Sequence, residues 1–167
     1  MKLSSQEEYG LRCLVRVGRA GPEGSITIAE LSRSEGISEP NVAKMMRILR
    51  TAGLVQSTRG QAGGYSLARP AGEIPIGEAI AALGGRLYEP TFCDTHTGLE
   101  RLCTHMPDCS IRSVWRLVQR AVDQVLEKIT LKDLLVPEQE MNAWPAPASG
   151  APTLPTHSHR HGNSFPG

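Results

Sequence analysis

Residues 27–53, TIAELSRSEGISEPNVAKMMRILRTAG, restrict the fold more than any other stretch. Thr27 is followed three residues later by Glu30, the spacing of a capping box, which predicts a helix carrying Ile28 and Leu31 and ending near Gly36. Ser38 opens the next helix, with Ile37 and Val42 spaced as a hydrophobic staple. Val42, Met45, Met46 and Leu49 recur at helical spacing and form its inward face, and Gly53 closes it. Two short helices joined by a tight EGIS turn, the second basic through Lys44, Arg47 and Arg50, make a helix-turn-helix pattern.

The flanking segments extend that pattern. SSQEE at 4–8 opens a first helix, with Ser4–Glu7 and Ser5–Glu8 both at capping-box spacing, and Leu11, Leu14 and Val15 as its apolar stripe. LVQSTRGQAGGYSLAR, residues 54–69, reads as two short strands around a glycine-rich tip, the hairpin of a winged helix. A fourth helix is expected over 76–83. A long one starts at about Ser110, with Ile111, Val114, Val118, Val122, Val125 and Ile129 spaced 3, 4, 4, 3 and 4. At about 19 residues it would span roughly 28 Å. Leu117, Ala121 and Leu126 widen its stripe, and the chain has little left to cover it, so a second copy is the expected partner. Thr130 caps a short last helix through Leu131, Leu134 and Leu135. From Pro137 the chain turns proline-rich and aperiodic and reads as a disordered tail, with His157, His159 and His161 solvated. Aromatic residues are only 4%, so the core must be aliphatic. The expected fold is mainly α with a small β-hairpin wing: a winged helix-turn-helix domain over 1–84, a cysteine-rich loop over 85–109, a dimerisation helix and short last helix over 110–136, and the tail over 137–167.

A net charge of +1 argues against a nucleic-acid partner until it is resolved along the chain. Residues 1–70 hold ten Lys or Arg against six Asp or Glu, whereas 71–130 hold six against eight. An anionic partner is expected at the basic front half. The outer face of the second helix of the pair offers Ser38, Glu39, Pro40, Asn41, Lys44 and Arg47. Asn41 suits a bidentate contact to adenine, and Arg47 suits guanine or phosphate. Lys44 and Arg50 suit phosphate. On the wing, Arg59 suits a narrow minor groove, and Gly60, Gly63 and Gly64 let backbone approach a duplex. The N-terminus lacks the apolar run of a signal peptide and no stretch is long enough to span a bilayer, so a cytoplasmic protein with reduced thiols and no membrane partner is expected.

Three of the four cysteines, Cys93, Cys103 and Cys109, lie within FCDTHTGLERLCTHMPDC, residues 92–109, with His96 and His105 between them. No CxxC knuckle of a structural zinc site is present. Three thiolates on a loop with gaps of nine and five residues suit an iron–sulfur cluster completed by a fourth ligand from elsewhere. Such sulfurs respond to oxidants, nitric oxide and iron supply. Cys13 reads as a small buried apolar residue. Two other readings stay open: a metal-free thiol/disulfide switch, and a winged-helix protein-interaction scaffold. No Ser–His–Asp set, phosphate loop or paired carboxylates point to an enzyme.

From Met1 to about Val136 the sequence resembles the Rrf2 family of winged-helix iron–sulfur transcriptional regulators. The resemblance is carried by MKLSSQEEYGLRCL, ISEPNVAKMMRILRTAGLV, the wing RGQAGGYSLAR, IPIGEAI, the three cysteines and ITLKDLL. It implies a homodimer, a cluster in the loop, and binding to a double-stranded operator gated by cluster state, in a repressor. Two departures stand out. The first cysteine gap is longer than the family's usual spacing, and Arg112 occupies the place where one branch of the family has a histidine ligand three residues after the last cysteine. In another branch a carboxylate near the start of the first helix completes the site from across the dimer, and Glu8 holds that position here. Glu8 is therefore the expected fourth ligand, with His105 its rival, His96 a weaker one, and a capping role its structural alternative. A 2Fe–2S cluster is favoured over 4Fe–4S.

Overall fold

The computed structural model describes residues 3–58, 63–89, 91–96, 103 and 108–142. Their elements run α1 (Ser5–Arg19), α2 (Ile28–Glu35), α3 (Glu39–Thr51), β1 (Val55–Thr58), β2 (Gly64–Leu67), a 3-10 turn (Ala71–Glu73), α4 (Ile76–Gly84), α5 (Phe92–Thr95), α6 (Ser110–Leu126), a second 3-10 turn (Leu131–Leu135) and α7 (Glu138–Asn142). This is a mainly helical winged helix with a two-stranded hairpin, as the sequence predicts.

Local signals explain the starts. Ser4 is the N-cap of α1: its hydroxyl accepts the Glu7 amide at 3.2 Å and Glu7 accepts the Ser4 amide at 2.8 Å. The Ser5–Glu8 alternative is not used, because the chain turns helical one residue earlier. Thr27 and Glu30 form the same box at α2, which Gly36 ends with φ 66° in the left-handed region. Ser38 stands at the N-cap of α3, but its hydroxyl makes no capping bond; Pro40 in the first turn removes one amide that would need a partner.

Val42, Met45, Met46 and Leu49 of α3 are buried as their spacing predicts, and pack with Leu14, Val17, Leu31, Leu54, Ile74 and Leu131 into one aliphatic core. Gly10 of α1 lets α4 come close: a Cβ there would lie 2.2 Å from a Leu83 methyl. Arg12 and Arg16 of α1 pair with Glu35 at the end of α2, at 3.1 and 3.9 Å. The hairpin is antiparallel, with Val55 opposite Leu67 and Thr58 opposite Gly64. Ile26 adds a third edge by exchanging backbone bonds with Tyr65 at 3.0 and 2.9 Å. Gly64 faces that edge, where a Cβ would lie 2.8 Å from the Ile26 carbonyl oxygen.

The long helix differs from its expected extent. α6 has 17 residues and ends at Leu126, so Ile129 lies beyond it. The reason is a non-local pairing: Ile129 accepts the Ile76 amide at 2.9 Å, Leu131 donates to Ile74 at 2.8 Å, and Pro75 and Thr130 bridge. The last helix is a 3-10 turn, capped at Thr130 as expected, and Leu135 packs over Gly18. One-turn α5 lies inside the segment read as loop, and α7 lies in the first residues of the proline-rich stretch; residues 143–167, with the three alternating histidines, fall outside the described residues.

Two stability predictions follow from these joints. Leu131 is fully buried at the seam between the α6 end and the winged core, so Leu131→Ala should cost about 2–5 kcal/mol in denaturant unfolding. Asp133 accepts the Thr130 hydroxyl and amide at 2.7 and 2.8 Å, and these bonds hold its carboxyl below the usual aspartate range. A depressed folded value contributes stability above the ordinary aspartate pKa and loses it as pH falls through the lowered one. Asp133→Asn should therefore lower the Tm at neutral pH and flatten its decline on acidification, as read from thermal melts at a series of pH values.

Candidate functional site

The α3 surface comes first from the residues that are left over once the core is packed. Ser38, Glu39, Pro40, Asn41, Lys44, Arg47 and Arg50 are all exposed. The side chains of Asn41, Lys44, Arg47 and Arg50 make no hydrogen bond or ion pair among the described residues, in contrast to Arg12, Arg16, Arg69 and Arg86, each of which pairs with a carboxylate. Cations without internal partners on one face of an exposed helix are free to meet phosphate. Of the wing residues, Gly63 is exposed and Gly64 donates to the Thr58 hydroxyl at 3.1 Å; Arg59 and Gly60 lie outside the described residues.

The cysteine segment is built around Tyr88. Its ring is 7% exposed and lies 5.6 Å from that of Phe92. The Tyr88 hydroxyl sits 3.4 Å from the Cys93 sulfur. His96 stacks on Phe92 at 3.9 Å between ring centres, with Nδ1 2.9 Å from the Phe92 carbonyl oxygen. Cys109 is the N-cap of α6, and its sulfur accepts the Arg112 amide at 3.4 Å. Cys93, Cys103 and Cys109 are half-buried and none is in a disulfide. Cys13 is fully buried; burial, with Glu35 nearby, pushes its thiol up to about 11. It is the small buried apolar residue read from the sequence.

Glu8 is exposed on α1 and its side chain makes no hydrogen bond or ion pair among the described residues. His105 lies outside them. Among the described residues no group of three or more His, Cys, Asp or Glu is gathered closely enough to hold a metal ion, so the expected ligands are not brought together within this one chain. The donor chemistry nevertheless fits an iron–sulfur group. Three uncrosslinked thiols are available, and two of them already receive or face hydrogen-bond donors, Arg112 N–H and the Tyr88 hydroxyl, of the kind that stabilise thiolate.

The third element is the outer face of α6. Ile111 and Val114 are 55% and 54% exposed, and Trp115, Leu117, Val118 and Val125 are exposed as well. The one buried residue of this helix is polar: Gln119, 7% exposed, accepts the Tyr88 amide at 2.8 Å and donates to Asp123 at 2.8 Å. Asp123 in turn pairs with Arg86. Sequence reasoning passed over both Tyr88 and Gln119. The signals available were a lone tyrosine just before Cys93 in an aromatic-poor chain and a glutamine inside an apolar heptad. No described helix is long and apolar enough to cross a membrane.

Known proteins place this arrangement. A family model described as "Rrf2: Iron-dependent Transcriptional regulator" matches residues 3–137. Protein rrf2 of Nitratidesulfovibrio vulgaris is 35% identical over 81% of this chain and 87% of its own length. The transcriptional regulator IscR of Serratia proteamaculans is 31% identical over 81% of this chain and 79% of its own. Among solved structures, IscR of T. potens superposes with a TM-score of 0.64 at 31% identity, covering 88% of this chain and 93% of that one. CymR, the global cysteine regulator of B. subtilis, superposes with a TM-score of 0.63 at 30% identity, covering 81% of this chain and 96% of that one. These relatives have a regulatory, non-enzymatic role, and on the family match, the identities and the shared winged fold this chain belongs to the Rrf2 family of transcriptional regulators.

Proposed function

We propose that the chain is a homodimeric repressor that binds a double-stranded operator through α3 and the wing, with its affinity set by an iron–sulfur cluster on Cys93, Cys103, Cys109 and Glu8. The observation that carries this reading is a juxtaposition. A basic helix face whose side chains have no partners among the described residues stands on the winged core, and a three-thiol segment leads through Cys109 into α6, whose apolar face is uncovered among the described residues.

The division of labour follows from chemistry. The winged unit, 1–84, presents Asn41, Lys44, Arg47 and Arg50 to a major groove, with Ser38 at the helix start and Arg59, Gly60, Gly63 and Gly64 on the flanking wing. One head reaches too few phosphates for tight binding, and pairing two copies along 110–136 doubles them. The cluster, when bound, supplies a redox- and nitric-oxide-sensitive bond to sulfur. Cys109 opens the first turn of α6, so whatever grips its sulfur also holds the start of the dimer helix. Release of the loop over 85–109 then changes how two heads sit on half-sites of fixed spacing. Glu8, with no capping duty, is free to reach a partner's loop, and a carboxylate is a more labile ligand than a thiolate. A 2Fe–2S cluster needs only this four-donor set.

A second reading is a metal-free thiol switch in a cytoplasmic regulator. It is favoured by the likeness to CymR and by the scattered positions of the potential ligands among the described residues.

Two outcomes are expected. On an operator obtained by in vitro selection, Asn41→Ala should cost about 1–3 kcal/mol and relax preference at one base per half-site. Lys44→Ala should weaken binding uniformly and reduce the salt slope by about 1 per half-site. Both should leave the Tm nearly unchanged, because these residues are exposed. For the sensing step, protein purified without oxygen is titrated onto that operator before and after nitric oxide. The cluster reading expects coloured protein carrying iron and sulfide and a large loss of affinity. Colourless protein whose affinity responds to a disulfide-forming oxidant supports the thiol switch instead, and affinity indifferent to both overturns gating.

A further inference from the structure

Beyond the α3 face and the thiols themselves, the contacts of Tyr88 join a sulfur, an aromatic ring and a buried amide. We propose that Tyr88 is a positioning residue for Cys93, and that it links the state of this sulfur to the middle of α6 through Gln119.

The chain of contacts is continuous and each step is polar. The Tyr88 hydroxyl lies 3.4 Å from the Cys93 sulfur, within the longer range of hydrogen bonds to sulfur. The ring is fixed by burial and by Phe92, so the hydroxyl has little freedom to choose another partner. At the other end of the residue, the Tyr88 amide donates to Gln119 Oε1 at 2.8 Å. The Gln119 amide nitrogen donates to Asp123 at 2.8 Å, and Arg86 holds Asp123 from the chain just before Tyr88. Gln119 is thus a buried amide whose oxygen and nitrogen both have specific partners, and it is the only buried residue of α6. Leaving such a group unpaired costs about 1–3 kcal/mol. A glutamine in an apolar heptad is destabilising unless it has this task. The geometry makes Tyr88 a two-ended strut, with sulfur at the hydroxyl end and the dimer helix at the amide end.

A hydroxyl donor on a ligating sulfur changes the electron density that sulfur offers, which is a recognised way of tuning thiolate-held groups. When the sulfur is drawn out of reach, the hydroxyl loses its partner, and the strut loosens at the Gln119 end. The significance of that loosening for operator binding rests on the reading of Cys93 as a sensing thiol. The strut itself does not, and it can be tested without any metal.

The test is a mutant cycle on metal-free, reduced, full-length protein, read by hydrogen exchange at the residue-88 amide and at residues 119–123 of α6. Cys93→Ala and Tyr88→Phe should each speed exchange at residue 88 by about fivefold, and the double variant no further, since both break one link. Cys93→Ser keeps an acceptor and should stay within about twofold of the wild type. The α6 amides should rise in the same variants. Unchanged exchange at residue 88, effects that multiply in the double variant, or a change that never reaches α6 would each overturn the proposal. A Tyr88→Phe protein that melts lower yet still responds to Cys93→Ala would also overturn it, as Tyr88 would then be packing alone. Iron uptake is measured separately on wild type, so a protein that binds no cluster refutes the cluster reading and leaves this result standing.

Discussion

Everything in this molecule depends on how one helix is seated. α6 is fastened near its end, where Gly77 of α4 leaves room for Leu126, and at its middle, where the buried amide of Gln119 takes the Tyr88 backbone. Between and beyond those points its apolar residues face outward. A helix held this way cannot satisfy itself. Its hydrophobic stripe costs free energy in water at roughly 25 cal/mol per Å² of apolar surface, and a second copy is the partner we propose to cover it. Just past its end, Ile129 and Leu131 bond to Ile76 and Ile74, so the C-terminal end of α6 is tied to the winged core while its middle is held through Gln119.

On the proposed reading, this arrangement lets sensing and operator binding sit on separate segments and still communicate. The cations of α3 are exposed, and among the described residues none of them is paired with a carboxylate. The sulfurs lie at joints: Cys109 at the first turn of α6, Cys93 against the residue that grips its middle. On that reading, a change of bonding at either sulfur acts on α6, and a switch requires that this helix have two settings against the winged unit.

Much of this was legible in the chain because the signals are local. Capping boxes, a left-handed glycine at the end of α2, and the inward positions of α3 depend on neighbours within four residues, and they were realised as read. What escaped was non-local. α6 stops at Leu126 because Ile129 is claimed by Ile76, fifty-odd residues away, and heptad spacing carries no trace of that claim. Gln119 interrupts an apolar stripe, which on periodicity alone is noise; its meaning appears only when Tyr88 is placed against it. Gly64, read as a glycine serving a bound duplex, is also required by the Ile26 edge behind it. The ligand set drawn from the sequence is not gathered by one chain among its described residues.

The central claim is that the bonding of the thiol segment sets the spacing of two reading heads in a dimer. Its most direct measure is a distance between the two copies of α3, from pulsed electron resonance of spin labels carried by an unnatural residue at position 39, which is exposed and clear of the cysteines. Cluster-bearing dimer on operator should give one narrow distance near the half-site spacing of about 34–36 Å. Cluster-free dimer should give a shifted or broadened one. Identical distributions in the two states, or no intermolecular distance at all, would contradict the account.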